Sequence, residues 1–326
     1  MTLPRIAIVS PYLAEANNGN WRTAQRWRRL IGNTARAIVT AAWPNDDGTA
    51  PDLLLALHAR RSHASIAAFR AAHPQRPLIV ALTGTDVYRD LSLDNADGAA
   101  TRASLDLADA LIVLQEDAIR HVPQAHRRKT HVIHQSAPVL RPAVKPAGRL
   151  HCVAVGHLRP EKSPETVFAL AERLRPGEHI HLTHIGAPLD DALAARARAL
   201  AARHPQYRYA GPLPHGLARA QMKHAHLLIH PSIMEGGANV IVEAITAGTP
   251  VLASRISGNI GMLGADYPGY FPVGDAAALY ALLTECLTRP NLLTQLHTAC
   301  RARLPLFSPD AERHHLLELL RAMLVE

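Results

Sequence analysis

Two glutamates eight residues apart bracket a glycine pair in the segment His226–Ser254, HLLIHPSIMEGGANVIVEAITAGTPVLAS. The pattern predicts a buried strand ending at His230-Pro231-Ser232, then a helix from about Ala238 that Gly248 stops ahead of Pro250. The amides of Gly236, Gly237, Ala238 and Asn239 would open that helix at its positive dipole end. That is a seat for a phosphate or diphosphate, and the paired glycines let the anion come close to the backbone. Glu235 and Glu243 lie at most about 12 Å apart if the whole span is helical, so each is placed to accept hydroxyl hydrogen bonds from one of two sugars flanking a diphosphate. As an isolated pair they read equally as an exposed loop acid and a solvated helix residue. Glu243, however, sits among Val240-Ile241-Val242 and Ala244-Ile245, where an unpaired charge is costly. That turns the reading toward function.

Such residues need a scaffold, and the chain supplies a rhythm for one. Apolar runs at Arg5–Val9, Leu53–Leu57, Leu78–Leu82 and Ala110–Leu114 read as buried strands, each followed by a turn and an amphipathic stretch. The same alternation resumes at Leu150–Val155, His179–Ile185, His226–His230 and Pro250–Ala253. Between the two series, prolines at 138, 142 and 146 break any helix or central strand. The expectation is an α/β protein with two Rossmann-like, doubly wound domains facing a cleft. The first spans 1–140, a linker spans 141–148, and the second spans 149–307. A last helix, 308–326, is placed to pack back on the first domain.

Composition narrows the function classes. The 326 residues are 48% hydrophobic and 19% charged, which excludes a disordered or fibrous protein. No run of eighteen apolar residues predicts a transmembrane helix, and the first residues do not resemble a signal peptide. Three scattered cysteines, Cys152, Cys286 and Cys300, fit a reduced cytoplasm. The net charge of +8 attracts phosphates. Without a dense basic block or interleaved aromatics, no nucleic-acid partner is expected. The 20 histidines include His179 with His181 and the pair His314-His315, but they lack metal-site spacing. No metal and no cofactor are expected.

The first half holds a second set of polar groups. Asn18, Gly19 and Asn20 lie between the first strand and a helix, with Gly19 allowing close approach and Asn20 reading as an N-cap, and Arg22 stands in the first turn of that helix, placed for an anion. Further along that helix Arg26 and Arg29 continue the stripe of Arg22, opposite Ala24, Trp27 and Ile31. They read as a solvated basic face, and membrane contact is not expected. Thr83, Gly84, Thr85 and Asp86 follow the strand Leu78–Leu82 and are placed to bind an anion or sugar, with Asp86 orienting a group or capping a helix. Gln135 and Ser136 would face the cleft from the end of this half.

Taken together, PSxxEG before the helix and EAxxxGxPV after it resemble the E-x7-E region of retaining family 4 glycosyltransferases of the GT-B fold. Gly211-Pro212-Leu213 resembles that family's loop near the nucleobase, and Gly156-His157-Leu158-Arg159-Pro160-Glu161-Lys162 its diphosphate clamp. The resemblance implies that Lys162 neutralises donor phosphate, Glu235 holds donor-sugar hydroxyls and Glu243 holds the ribose. The amides from Gly236 to Val240 would bind phosphate and sugar. The clamp departs from the family where His157 replaces an arginine, a weaker phosphate ligand for which Arg159 either compensates or points away. NNGNWRTAQRW, LTGTDVYRD, VIHQSA and VGHLRPEK resemble the branch containing the selenosugar synthases of selenoneine biosynthesis. That implies transfer of a sugar, with UDP-N-acetylglucosamine as donor, to selenophosphate with formation of a carbon–selenium bond. The alternatives are a family 4 transferase with a carbohydrate or lipid acceptor, and a nucleotide-sugar-binding protein without turnover.

Overall fold

The computed structural model describes residues 3–11, 19–44 and 50–325. The chain divides into two compact units, Met1–Gln135 with Pro309–Glu326, and Ser136–Ser308. Among the described residues each unit holds one six-stranded, all-parallel sheet with helices alternating along the chain. No described helix is long and apolar enough to cross a membrane.

In the first unit β1 (Arg5–Val9), β2 (Arg36–Thr40), β3 (Leu53–Leu57), β4 (Leu78–Ala81), β5 (Ala110–Val113) and β6 (Thr130–Val132) take the order β2-β1-β3-β4-β5-β6. The helices between them are α1 (Gly19–Ile31), α2 (His63–Ala72), α3 (Gly84–Tyr88) and α4 (Ala96–Leu107). Every residue of β3, β4 and β5 is buried, because helices cover both faces of the sheet. The strand order reverses between β1 and β3, so the loops after these two strands diverge to opposite faces.

The second unit contains β7 (Leu150–Val155), β8 (Ile180–Ile185), β9 (Tyr207–Gly211), β10 (Leu227–His230), β11 (Val251–Ser254) and β12 (Tyr270–Phe271). Read from β9 the order is β9-β8-β7-β10-β11-β12, the dinucleotide-fold order with its switch point between β7 and β10. The helices are α5 (Pro164–Arg173), α6 (Asp191–Arg203), α7 (His215–His224), α8 (Asn239–Thr246), α9 (Ser257–Leu263), α10 (Ala276–Thr288) and α11 (Pro290–Arg303). The proline-rich segment expected to be a linker has no regular structure and is bonded into this unit. Leu140 N donates to Thr246 O at 2.8 Å, and Lys145 Nζ donates to Gly248 O at 3.0 Å.

The last helix, α12 (Pro309–Val325), belongs to the first unit. Leu316, Leu317, Leu319 and Leu320 bury against the core of Ile6, Ile8, Trp27 and Leu55. A polar bond accompanies the apolar contact. Glu312, 1% exposed, accepts from Arg26 Nε at 2.8 and 3.0 Å and from Trp27 Nε1 at 2.8 Å. Arg26 is therefore not part of a solvated basic face; it is the counter-charge of a buried carboxylate.

Candidate functional site

At the switch point of the second sheet, the loops after β7 and β10 bring together Lys162 and Glu235, 73 residues apart in sequence. Lys162 sits at the end of a single 3-10 turn, Pro160–Lys162, which Pro160 starts and Ser163, at φ 48°, closes. Gly156 lies under its stem: a Cβ there would stand 3.4 Å from Lys162 Cγ. Ile233 N donates to Glu161 O at 3.0 Å and couples the two loops. Lys162 Nζ donates to Glu235 Oε1, and His230 Nε2 at the end of β10 lies 3.3 Å from the same oxygen.

Burial alone would raise the Glu235 carboxyl, which is 11% exposed. The Lys162 ammonium, with the His230 imidazole beside the same oxygen, outweighs it and holds the group well below the usual carboxylate range. The pair is thus ionised, with a carboxylate and an ammonium at the mouth of a sheet. The loop backbone is pinned from behind. Gly258 presses against it so closely that a Cβ would stand 1.9 Å from Glu235 O, and Asn259 Nδ2 donates to Ser254 O at 2.9 Å.

The glycine pair leads into α8 as the sequence predicts, with Ala238 as N-cap and Gly248 at φ 74° beyond the end. Gly236, Gly237, Asn239 and Val240 are half-buried, while Ala238 is buried. The opening amides of a helix have no acceptor within it, so this terminus offers donors and a positive dipole end. One turn on, Glu243 Oε1 is 2.8 Å from His215 Nε2. His215 and Arg219 stand one turn apart on α7, and the Arg219 charge also attracts Glu243. Arg219 Nη2 donates to Pro138 O at 2.8 Å and to Thr246 Oγ1 at 3.0 Å, which locks α7 to α8.

The clamp residues separate. His157 Nδ1 accepts from Ala187 N at 3.1 Å, which leaves the proton of the neutral ring on Nε2 and makes that nitrogen a donor. Arg159 is half-exposed, and its Nε stands 4.0 Å from Glu161 Oε2, so it gathers with a surface carboxylate rather than with Lys162. Gly211, at φ 66°, accepts from Gly186 N at 2.9 Å, and a Cβ on Gly186 would meet Gly156 O at 1.8 Å. The ends of β7, β8 and β9 therefore close on one another through glycines, with Leu213 half-buried beside them.

The first unit corrects several expectations. Asn18 lies outside the described residues. Gly19 and Asn20 are the first two residues of α1, so Asn20 is inside the helix and is not its N-cap; Arg22 stands in the same first turn, half-buried. Gln135, the last residue of this unit before the chain crosses over, and Ser136, the first of the second unit, are 2% and 6% exposed and do not face outward. Gln135 Nε2 donates to Thr23 Oγ1 at 2.6 Å, and Thr23 donates to Gly19 O at 2.9 Å, so Gln135 positions the start of α1.

Asp86 is fully buried and caps α3 in a capping box with Thr83. Its oxygens also accept from Ala59 N at 3.1 Å and Arg60 N at 3.2 Å, with His58 Nδ1 at 2.7 Å. Burial opposes the charge, but His58 and these amides hold the carboxyl below its ordinary value. Asp86 therefore organises the loop instead of meeting a ligand. Thr83, the N-cap, and Gly84 and Thr85, in the first turn of α3, remain half-buried, and Thr85 Oγ1 lies 3.2 Å from His58 Nε2. His58, Asp86 and Asp90 hold ligand-type atoms within 4.8 Å of one another, but Arg60 and Arg89 already bind the Asp90 oxygens at 2.7 and 2.8 Å. Charge balance there is met by arginine and amide hydrogens.

His230, His215, Gly186 and Gly258 are site residues that sequence reasoning missed. Only His215 carried a signal: it follows GPLP at the opening of a helix.

Comparison with known proteins bears on the fold and the family. Solved structures share the fold across nearly the whole chain at low identity. Sucrose-phosphate synthase from Thermosynechococcus elongatus superposes with a TM-score of 0.78 at 18% identity, covering 99% of each chain. Anabaena HepE in complex with UDP and glucose gives 0.73 at 15%, covering 98% of this chain and 100% of that one. A UDP-forming α,α-trehalose-phosphate synthase from Burkholderia xenovorans gives 0.67 at 14%, covering 82% and 73%. No curated protein matches the chain in sequence. The family described as glycosyl transferases group 1 matches residues 141–303, half of the chain and nearly all of the second unit. The chain belongs to that family, and it is a glycosyltransferase of GT-B fold.

Proposed function

We propose that the protein transfers a sugar from a UDP-sugar, with N-acetylglucosamine as the sugar and selenophosphate as the acceptor. One observation carries the donor half of this reading: Lys162 and Glu235 meet at the switch point beside the amino end of α8. The HepE structures hold UDP with glucose, or UDP-glucose, which supports a nucleotide sugar of the same kind. In this reading Lys162 and the amides from Gly236 to Val240 take the diphosphate, Glu235 takes sugar hydroxyls and Glu243 the ribose. His157 contributes an Nε2–H donor. Charge grows on the leaving UDP as the anomeric bond breaks, and the groups that binding has already turned toward the diphosphate stabilise it without further reorganisation during the chemical step. The acceptor half rests on sequence resemblance and on the Thr83–Thr85 loop and the start of α1. A selenium nucleophile that is already anionic needs little help from a base.

A second reading keeps the donor and changes the acceptor. The Thr83–Asp86 loop is built over a buried carboxylate, which favours hydroxyl donors over a phosphate-like anion. A carbohydrate acceptor follows from that. One experiment separates the two: mass spectrometry of products from the purified protein with UDP-N-acetylglucosamine and fresh selenophosphate, beside Glu235→Ala and Lys162→Ala. A selenium isotope pattern at the selenosugar mass, lost in both variants, supports the first reading. UDP release that appears only with carbohydrate acceptors supports the second. Nucleotide binding without UDP release under any acceptor refutes turnover in both.

A further inference from the structure

Two nitrogens compete for one carboxylate oxygen. Lys162 Nζ donates to Glu235 Oε1, and His230 Nε2 lies 3.3 Å from that same atom. His230 is 2% exposed, ends β10 immediately before the loop that carries Glu235, and its Nε2 makes no well-aligned hydrogen bond. We propose that His230 is a positioning residue that takes up a proton when the nucleotide sugar binds, replacing Lys162 as the cation that holds Glu235. This inference rests on the donor reading above. In the bound state Lys162 turns from Oε1 to the diphosphate. The proton comes from solvent and adds to His230 Nδ1, while Nε2–H stays directed at Oε1. No covalent bond of the donor is involved.

The charges around the imidazole give the direction. Burial disfavours its protonation most, Glu235 favours it, and Lys162 disfavours it; these are the two charged side chains that bear on it. At rest Lys162 and Glu235 cancel, and the buried ring has little reason to carry a charge. A bound diphosphate brings two negative charges and draws the ammonium away. The Glu235 carboxylate then keeps only neutral sugar hydroxyls and a ring 3.3 Å away, in a poorly screened environment. Protonating Glu235 itself would forfeit the acceptor that the sugar hydroxyls need. The bound complex holds the extra proton, so donor affinity rises as pH falls through the window between the free and bound values of His230.

The test is calorimetric titration of the full-length protein with UDP-N-acetylglucosamine, and separately UDP-glucose, near neutral pH in buffers of different ionisation enthalpy. The diphosphate of a nucleotide sugar exchanges no proton there, so the uptake reports the protein. The expected result is close to one proton taken up per donor bound in the wild type and close to none in His230→Gln, with donor affinity about tenfold lower. Binding without uptake in the wild type, or uptake unchanged in His230→Gln, overturns the inference. If His230→Gln does not fold, the His230 imidazole resonances of the wild type decide. A move to the imidazolium form on adding donor supports the proposal, and an unmoved neutral ring refutes it. Absence of any binding heat with both nucleotide sugars overturns the donor reading itself, and the inference with it.

Discussion

Gly258→Ala perturbs the site without altering any group proposed to meet substrate. A Cβ at this position would stand 1.9 Å from Glu235 O and 3.0 Å from Glu235 Cβ, whereas ordinary contact begins at 3.4 Å. The obstacle is backbone, so no side-chain rotation relieves it, and the Glu235 loop must retreat by about 1.5 Å. The loop is not free to do so. Its neighbour Ile233 is bonded to Glu161, and Ser232 O accepts from the Ser254 hydroxyl. Overpacking of this kind costs about 1–3 kcal/mol of stability. A displacement of that size at the reacting centre costs about 100-fold in kcat/KM for UDP formation. Gly216→Ala is the control, since a Cβ there meets nothing within 4 Å and its backbone is helical. It should keep full activity and gain up to about 0.5 kcal/mol. Turnover is followed as UDP release and stability by urea unfolding. A Gly258→Ala protein with wild-type kcat/KM and a wild-type urea midpoint would refute the claim that Gly258 sets the position of Glu235.

Other expectations are independent of that site. Glu312→Ala strands the Trp27 indole N–H and the Arg26 guanidinium, and should destabilise the first unit by about 3 kcal/mol, the lower end for a broken buried pair because Arg26 is 16% exposed. Trp fluorescence during urea unfolding reads it, and a loss below about 1 kcal/mol would contradict the argument. Burial pushes His184 down to about 4 from 6.5, so the folded state keeps the ring neutral where the unfolded chain takes a proton. Stability of the second unit is therefore full above pH 6.5 and falls by about 3 kcal/mol as pH drops toward 4. His184→Gln should flatten that slope. All three cysteines are buried, and burial pushes the Cys286 thiol up to about 12 and Cys300 up to about 11. A thiol reagent should find none quickly in the folded protein and all three after denaturation.

The strands that sequence showed and those it hid differ in position. The eight read from apolar runs, such as Leu53–Leu57 and Leu227–His230, are the interior strands of the two sheets, covered on both faces. The four that were not read, β2, β6, β9 and β12, are the four edges. An edge strand such as β2, RAIVT, or β6, THV, needs no continuous apolar run, because one side faces no neighbouring strand and its residues are partly exposed. The site divides in a similar way. Glu235, its glycines and Lys162 were legible because their types and spacing resemble a known pattern. Gln135 and Ser136 were misread because a polar residue near a strand's carboxyl end has the same letter whether it points inward or outward; of the two roles open to Asp86, the structure takes the helix cap. His230 and Gly258 were hidden because their importance lies in a distance to Glu235, and distance across loops leaves no local trace.

The passage of the chain has a consequence for how the protein is made and handled. The first unit is discontinuous: residues 1–135 are completed only by α12, after all of 136–308. During synthesis the second unit, a continuous stretch, can close its core while the first still lacks the leucines of α12 that cover Trp27 and Ile8. The first unit must then wait, with that apolar face open, for α12 to leave the ribosome. A cut ahead of Pro309 therefore damages the amino-terminal unit more than the unit it adjoins. A recombinant fragment of the first unit alone would have to carry α12 joined back to Gln135 to be a folded body.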